Sequence, residues 1–353
     1  MRVLFLTPWY PSKKDEMSGL FVQKHVEAVR AQGVEVRVIF SNTWRDLWHQ
    51  WQALKREGWI PDVVQLNVIQ KQGALALWLK KHYGIPYIIV EHWSGYLPEN
   101  GQFLKMSHLK QRFFRKVCRK AELVLTVSPA LQQAMQSCGM KAKRWEQIDN
   151  VVDDFFFEDH CVDRTQTVAL TEHRPKILLH VSCFDERAKN VKGLLRAAKM
   201  LSEKRTDWQL VLVGTGVDHA EVKTYAQDLD IDEKLLRWTG ELTPHEVATE
   251  MKKADALVLS SRYETYGVVL AEAAAAGLPI LSTPVGIAEE VADLIVPQEI
   301  AQNKPGRFAE FIETVLFSTE VRGERLKVKE RFSADFIGKK LKESYDSCLH
   351  RDI

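Results

Sequence analysis

The chain has 353 residues, 45% of them hydrophobic and 27% charged, with a formal net charge of +2. That length exceeds one ordinary core and fits two domains, and the near-neutral balance gives no reason to expect nucleic acid as a partner. No apolar run approaches the ~20 residues of a membrane span, and the five scattered cysteines, with no CxxC pair, point to reduced thiols in the cytoplasm and away from a zinc site.

The opening Met1 to Pro8 has a short apolar core and no small-residue cleavage site, so it reads as a first strand, Val3 to Leu6, and not as a signal peptide. A loop carrying Trp9 follows, and Gly19 precedes a helix from Leu20 to Gln32 that Gly33 ends. A glycine at a helix start lets a diphosphate approach unpaired N–H groups; a turn glycine with no ligand is an equal reading. Strands are expected at Val34 to Phe40, Val63 to Leu66, Tyr87 to Val90 and Leu123 to Val127. Glu91-His92-Trp93 follows the fourth of the strands directly. His92 therefore projects from a strand's carboxyl end, where parallel sheets place their chemistry, and a neutral imidazole there can donate to a hydroxyl or position a reacting group. A satisfied structural histidine is the alternative.

Lys105 to Lys120 reads as one helix with seven Lys/Arg and no Asp or Glu, and with Met106, Leu109, Phe113 and Val117 as an apolar stripe. It suits either an anionic lipid surface or an ordinary helix whose stripe faces the core. From Asp153 to Pro175 the chain turns polar around Phe155-Phe156-Phe157 and reads as a linker. The expected division is residues 1–160, joined by a terminal helix in 333–353, and residues 176–332.

The second half restarts the rhythm with strands at Ile177 to Ser182, Gln209 to Val213, Leu236 to Trp238, Ala256 to Leu259 and Ile280 to Ser282. Strands alternating with helices throughout predict an α/β fold of two Rossmann-like domains. Arg187, Lys189 and Lys192 place cations in the loop after the first of these strands. Gly214-Thr215-Gly216 opens the next loop, where glycines permit close backbone approach to a ligand. The dinucleotide fingerprint is incomplete there because its third position is His219, which disfavours a nicotinamide dehydrogenase.

The most informative stretch runs from Glu264 to Glu272. It passes from a strand through Tyr266 and Gly267 into an Ala-rich helix beginning at Val268 and Val269. A helix N-terminus suits phosphate oxygens, and Glu264 and Glu272 can each accept from hydroxyls. Phosphate between hydroxyl-reading carboxylates describes a nucleotide-sugar site; a surface helix with two solvated glutamates is the plainer reading.

Together these segments resemble the retaining glycosyltransferases of the GT-B fold, the large family-4 group, over essentially the whole length. The resemblance is carried by Arg2 to Pro11, Ser18-Gly19-Leu20-Phe21, Glu91-His92, Thr126-Val127-Ser128-Pro129 and Asn150-Val151-Val152-Asp153. It continues through Lys189-Asn190, Trp238 to Leu242, Glu264 to Glu272 and Pro284-Val285-Gly286. It implies two domains facing across a cleft, with the terminal helix packed back on the first. Glu272 would hold the ribose hydroxyls, Glu264 and the backbone from Tyr266 to Val269 the sugar and diphosphate, and Lys189 the phosphate charge. Backbone near Leu242 would meet the base, Gly214 would line the donor site, and Gly19 and His92 would reach the donor from the first domain, with Trp9 and Trp93 on the acceptor side.

The implied reaction moves a hexose from a nucleoside diphosphate to a glycan or lipid-linked hydroxyl with retention, with no metal or other cofactor, in cell-surface polysaccharide or glycolipid biosynthesis; the expected place is the cytoplasm, with residues 105–120 as the candidate contact with the inner face of a membrane. One departure is Cys183, which stands where the family usually has an arginine; Arg187 is the substitute in the same loop. Alternative readings on the same scaffold are a nucleotide-sugar epimerase, a sugar phosphorylase, or a sugar-nucleotide-binding subunit without catalysis.

Overall fold

A computed structural model describes residues 1–13, 17–158, 174–291, 305–317 and 325–349. The chain forms two units, Met1–Val151 with Arg331–Ile353, and Val152–Glu330.

The first unit is built on a parallel sheet of β1 (Arg2–Thr7), β2 (Glu35–Phe40), β3 (Val63–Asn67), β4 (Tyr87–Glu91), β5 (Leu123–Thr126) and β6 (Trp145–Gln147), in the order β2-β1-β3-β4-β5-β6. Inner strands such as Val3 to Leu6 and Ile88 to Val90 are buried on both faces, which is why they read as unbroken apolar runs and not as alternation. Chain direction across the sheet reverses between β1 and β3, and ligands of such sheets gather at the carboxyl ends beside that switch. The loops carrying Trp9, Val68 and His92 all leave from there.

Helices α1 (Leu20–Ala31), α2 (Trp44–Arg56), α3 (Gln72–Tyr83), α4 (Gln102–Lys105), α5 (His108–Lys120) and α6 (Pro129–Ser137) connect the strands. The chain's terminal helix, Ala334–Leu349, lies on α1. A side chain at Gly338 would stand 2.4 Å from the Ala28 carbonyl oxygen, so the two helices approach through a bare backbone. Ile337, Leu341 and Tyr345 enter the core of Val3, Phe5, Val22 and Val26, and the Tyr345 hydroxyl donates to Gln65 Oε1 at 2.5 Å inside it.

The basic segment differs from its expected form. It is broken at Met106-Ser107, so Lys105 ends α4 and only His108 to Lys120 form the longer helix. The buried face of α5 is Gln111, Phe114, Val117 and Cys118, while Leu109 is 80% exposed and Leu104 65%. The phase shifts because the Gln111 amide donates to the carbonyls of Leu104 and Met106, closing the turn before α5. Among the described residues no helix is long and apolar enough to cross a membrane.

The second unit holds β7 (Lys176–Val181), β8 (Trp208–Val213), β9 (Leu236–Gly240), β10 (Ala256–Leu259) and β11 (Ile280–Ser282), parallel and ordered β11-β10-β7-β8-β9. Its helices are α7 (Glu186–Lys189), α8 (Val191–Ser202), α9 (His219–Asp228), α10 (Pro244–Lys253), α11 (Val268–Ala275) and α12 (Pro305–Phe317). After them come α13 (Arg325–Phe332) and the terminal helix, α14. Residues 152–158 group with this unit and not with the first, because Phe155 stacks on His245 at 3.8 Å. Most of the expected linker, residues 159–173, lies outside the described residues.

Candidate functional site

In the second unit the chemistry collects at the carboxyl ends of β7 and β10, neighbouring strands in the sheet. Lys189, closing α7, and Glu264, in the loop after β10, are 75 residues apart, yet Lys189 Nζ donates to Glu264 Oε1 at 2.5 Å. The Ser261 hydroxyl donates to the same oxygen at 2.8 Å. Both members of the pair are largely buried, at 16% and 12% exposure. Burial is the largest influence on the Lys189 ammonium and opposes its charge, but Glu264, with help from Cys183 and Tyr263, outweighs it and holds the group above the usual lysine range. Lys189 is therefore a fixed cation at neutral pH.

The loop that carries it is laced to β10. Asn190 takes a left-handed conformation at φ 52° and its amide donates to the Ser260 carbonyl. The Ser260 hydroxyl donates to the Lys189 and Asn190 carbonyls at 3.1 Å. Arg262, which nothing in the sequence singled out, donates to Asn190 Oδ1 at 2.7 Å and to the Glu186 carbonyl. Arg187 and Cys183 are exposed on the same loop.

Gly267 starts α11 at φ 80°, a left-handed position that glycine reaches without strain. The first N–H groups of α11, at Val268 and Val269, have no acceptor within the helix, and Glu272 lies half-buried one turn further on. Gly286 supports this loop from β11's side: its φ is 57°, and a Cβ there would stand 2.1 Å from the Tyr266 carbonyl oxygen. The Ile287 N–H donates to that same oxygen at 2.9 Å. Gly214 and Gly216 lie against the loop after β7. A Cβ at Gly214 would meet the Ser182 oxygen at 1.9 Å, and one at Gly216 would meet Phe184 backbone at 2.6 Å. These glycines are needed for the chain's own loop-on-loop packing. Leu242 sits half-buried in the loop between β9 and α10.

In the first unit, Gly19 begins α1 at φ 73° with the Trp9 and Tyr10 backbone within 2.4 to 2.6 Å of where its Cβ would be. His92 is buried, its ring 4.2 Å from Phe21 and 5.9 Å from His25. Burial first, and then His25, hold His92 well below the usual histidine range, and burial takes His25 to about 4, so both rings are neutral. His92 Nε2 has no partner among the described residues. Trp93 folds back: its ring lies over Gly95, where a Cβ would be 2.1 Å away, and packs edge-on against Tyr96. Trp9 is half-buried beside Phe21. Trp93 is thus chiefly a packing residue of its loop.

The comparisons with known proteins bear on both units. Residues 1–154 match Glycosyltransferase Family 4, and residues 163–329 match Glycosyl transferases group 1. Together the two matches take in nearly the whole chain, which carries the paired domains of the family 4 and group 1 glycosyltransferases. Its relatives include N-acetyl-alpha-D-glucosaminyl L-malate synthase of Bacillus anthracis, 29% identical over 49% of this chain and 44% of the relative. Lipopolysaccharide 1,6-galactosyltransferase of Escherichia coli is 29% identical over 48% and 45%. The match thus spans less than half the length of each of these two relatives. Among solved structures, Anabaena HepE in complex with UDP and glucose aligns at a TM-score of 0.73 and 18% identity, covering 98% of this chain and 100% of that one. The fold is GT-B.

Proposed function

We propose that the protein is a retaining hexosyltransferase that moves a sugar from a nucleoside diphosphate to a glycan or lipid-linked hydroxyl. The observation that carries this reading is the Lys189–Glu264 pair beside the N-terminus of α11. Lys189 and Glu264 neutralise each other. A donor diphosphate that takes over the lysine charge leaves Glu264 to accept from sugar hydroxyls, so one ion pair is exchanged for two ligand contacts. Lys189 and the α11 N-terminus then stabilise the leaving phosphate, with no divalent metal in the scheme, and Arg187 supplies the charge that Cys183 lacks. Glu272 reads the ribose, and His92 faces the reacting sugar. A subunit that binds without catalysis has Cys183 in its favour, but the Lys189–Glu264 pair speaks against it.

UDP is the first nucleotide to try, since the HepE structure holds UDP. A thermal-shift panel of UDP, GDP, ADP and NAD, with and without Mg²⁺, is expected to give one nucleoside diphosphate that stabilises; saturation at ~100 times Kd corresponds to ~2.7 kcal/mol. Glu272→Ala is expected to lose most of that shift, and Mg²⁺ to leave it unchanged. A shift with NAD alone would overturn the reading.

The acceptor side is proposed to work at the cytoplasmic face of an anionic membrane. Leu104 and Leu109 stand exposed among Lys105, Lys110, Arg112, Lys116 and Arg119, apolar tips within a basic field. Co-sedimentation with phosphatidylglycerol vesicles is expected, and loss of binding in a variant neutralised at Arg112, Arg115, Lys116 and Arg119. Equal pelleting of both proteins would reject the contact.

A further inference from the structure

We propose that Glu91 is a positioning residue: its buried carboxylate locks His92 and Trp93 in register with the loop after β3 and so fixes the His92 imidazole. The inference rests on the role given to His92 above. Glu91 ends β4 with no exposed surface. Its Oε1 accepts from the His92 and Trp93 N–H groups at 3.1 and 3.0 Å, and its Oε2 from the Ile69 N–H at 3.0 Å, 22 residues away. The receiving loop is held in an uncommon shape. Val68 is left-handed at φ 63°, unfavourable for a β-branched residue, and its N–H donates to the Val90 carbonyl at 2.9 Å.

The hold extends along the rim. Just beyond Ile69, the Gln72 amide donates to the Ser41 carbonyl and the Lys71 ammonium to the Asn42 carbonyl. The Asn42 amide then reaches the Pro8 carbonyl at 3.4 Å. Glu91 thus anchors a chain of contacts that ties together the loops after β4, β3, β2 and β1.

A buried carboxylate is costly, and no Lys or Arg pairs with it among the described residues. An apolar side chain would fill the same space without that cost but would leave the Ile69, His92 and Trp93 N–H groups without this acceptor. The titratable groups facing it are the Tyr96 hydroxyl, from the turn Ser94–Tyr96, and the Cys118 thiol of α5, with His92 adjoining and His25 beyond it. Burial pushes the Glu91 carboxyl up to about 7 against the pull of its backbone donors. Its acceptor strength therefore weakens as pH falls through neutrality.

Two measurements on the full chain test this. Backbone amide resonances of Ile69, His92 and Trp93 are expected to titrate together near pH 7 in the wild type and to stay flat in Glu91→Gln; independent titration, or none, would overturn the proposal. In transfer kinetics Glu91→Gln is expected to lower kcat by ~10- to 100-fold, the scale of a small misplacement. Donor KM should change less than about threefold, and the neutral-pH limb of the wild-type kcat profile should vanish. Glu91→Asp, which keeps the charge but is too short to span both loops, should fall between. An active wild type with an equally active Glu91→Gln sinks the inference. A wild type that transfers nothing instead sinks the function reading, and the amide titration still decides whether Glu91 holds the loops.

Discussion

Lys189→Ala is expected to reduce kcat/KM by about 10²- to 10³-fold, the usual consequence of removing one preorganised charge from the transition state of a group transfer. The loss should fall on kcat as well as on donor affinity, because negative charge on the leaving phosphate grows as the glycosidic bond breaks. The variant also strands the Glu264 carboxylate, largely buried, with the Ser261 hydroxyl as its remaining partner among the described residues. Breaking such a pair destabilises in its own right, so the single variant confounds chemistry with folding. Lys189→Ala combined with Glu264→Gln removes the stranded charge, and Glu264→Gln alone is the reference for its turnover, because Glu264 itself belongs to the site. Recovery of melting temperature without recovery of turnover is the expected pattern. Wild-type turnover in Lys189→Ala would remove Lys189 from the mechanism.

Gly286→Ala should cost about 3 kcal/mol of stability in the second unit and most of the activity. A left-handed alanine accounts for roughly 1–2 kcal/mol. The remainder comes from a Cβ 2.1 Å from the Tyr266 carbonyl oxygen, which the loop must shift to clear, an overpacking cost of about 1–3 kcal/mol. The shift moves Glu264 and the start of α11 together. Gly240→Ala is the matched control: it is also left-handed, at φ 74°, but its Cβ would meet nothing within 4 Å, so it should cost about 1 kcal/mol. Equal costs in a urea titration would mean that the close approach at Gly286 does not govern the loop.

The strand order of events was plain in the sequence because parallel strands buried on both faces leave unbroken apolar runs, as at Val3 to Leu6 and Ala256 to Leu259. The strand Trp145–Gln147 was not legible: its three residues are half-exposed at the sheet edge and carry no such run. The α4–α5 break was hidden because helical periodicity continued through it, and only the Gln111 amide bonds show why the buried face rotates. At the site, Gly267 and the two flanking glutamates could be read locally. The family resemblance brings Lys189 and Glu264 to one donor site, but their ion pair across 75 residues leaves no local signal in the sequence. Glycines at 214 and 216 signalled close approach correctly but gave no indication that the approaching partner is the chain's own Ser182–Phe184 loop. Beyond its place before His92, nothing in the sequence marks Glu91 as an anchor, because the Ile69, His92 and Trp93 N–H groups it accepts from are backbone and leave no trace in residue identity.

The seat of α14 on α1 has a consequence for biogenesis. Ile337, Leu341 and Tyr345 complete a core that includes Val3, Phe5, Val22 and Val26, which leave the ribosome more than 300 residues earlier. At ~5–20 residues per second, the apolar flank of α1 waits tens of seconds for its cover while the intervening unit has all its residues in hand. The nascent first unit therefore keeps this apolar flank open until α14 emerges, and a stop codon shortly before Ala334 would leave it permanently uncovered.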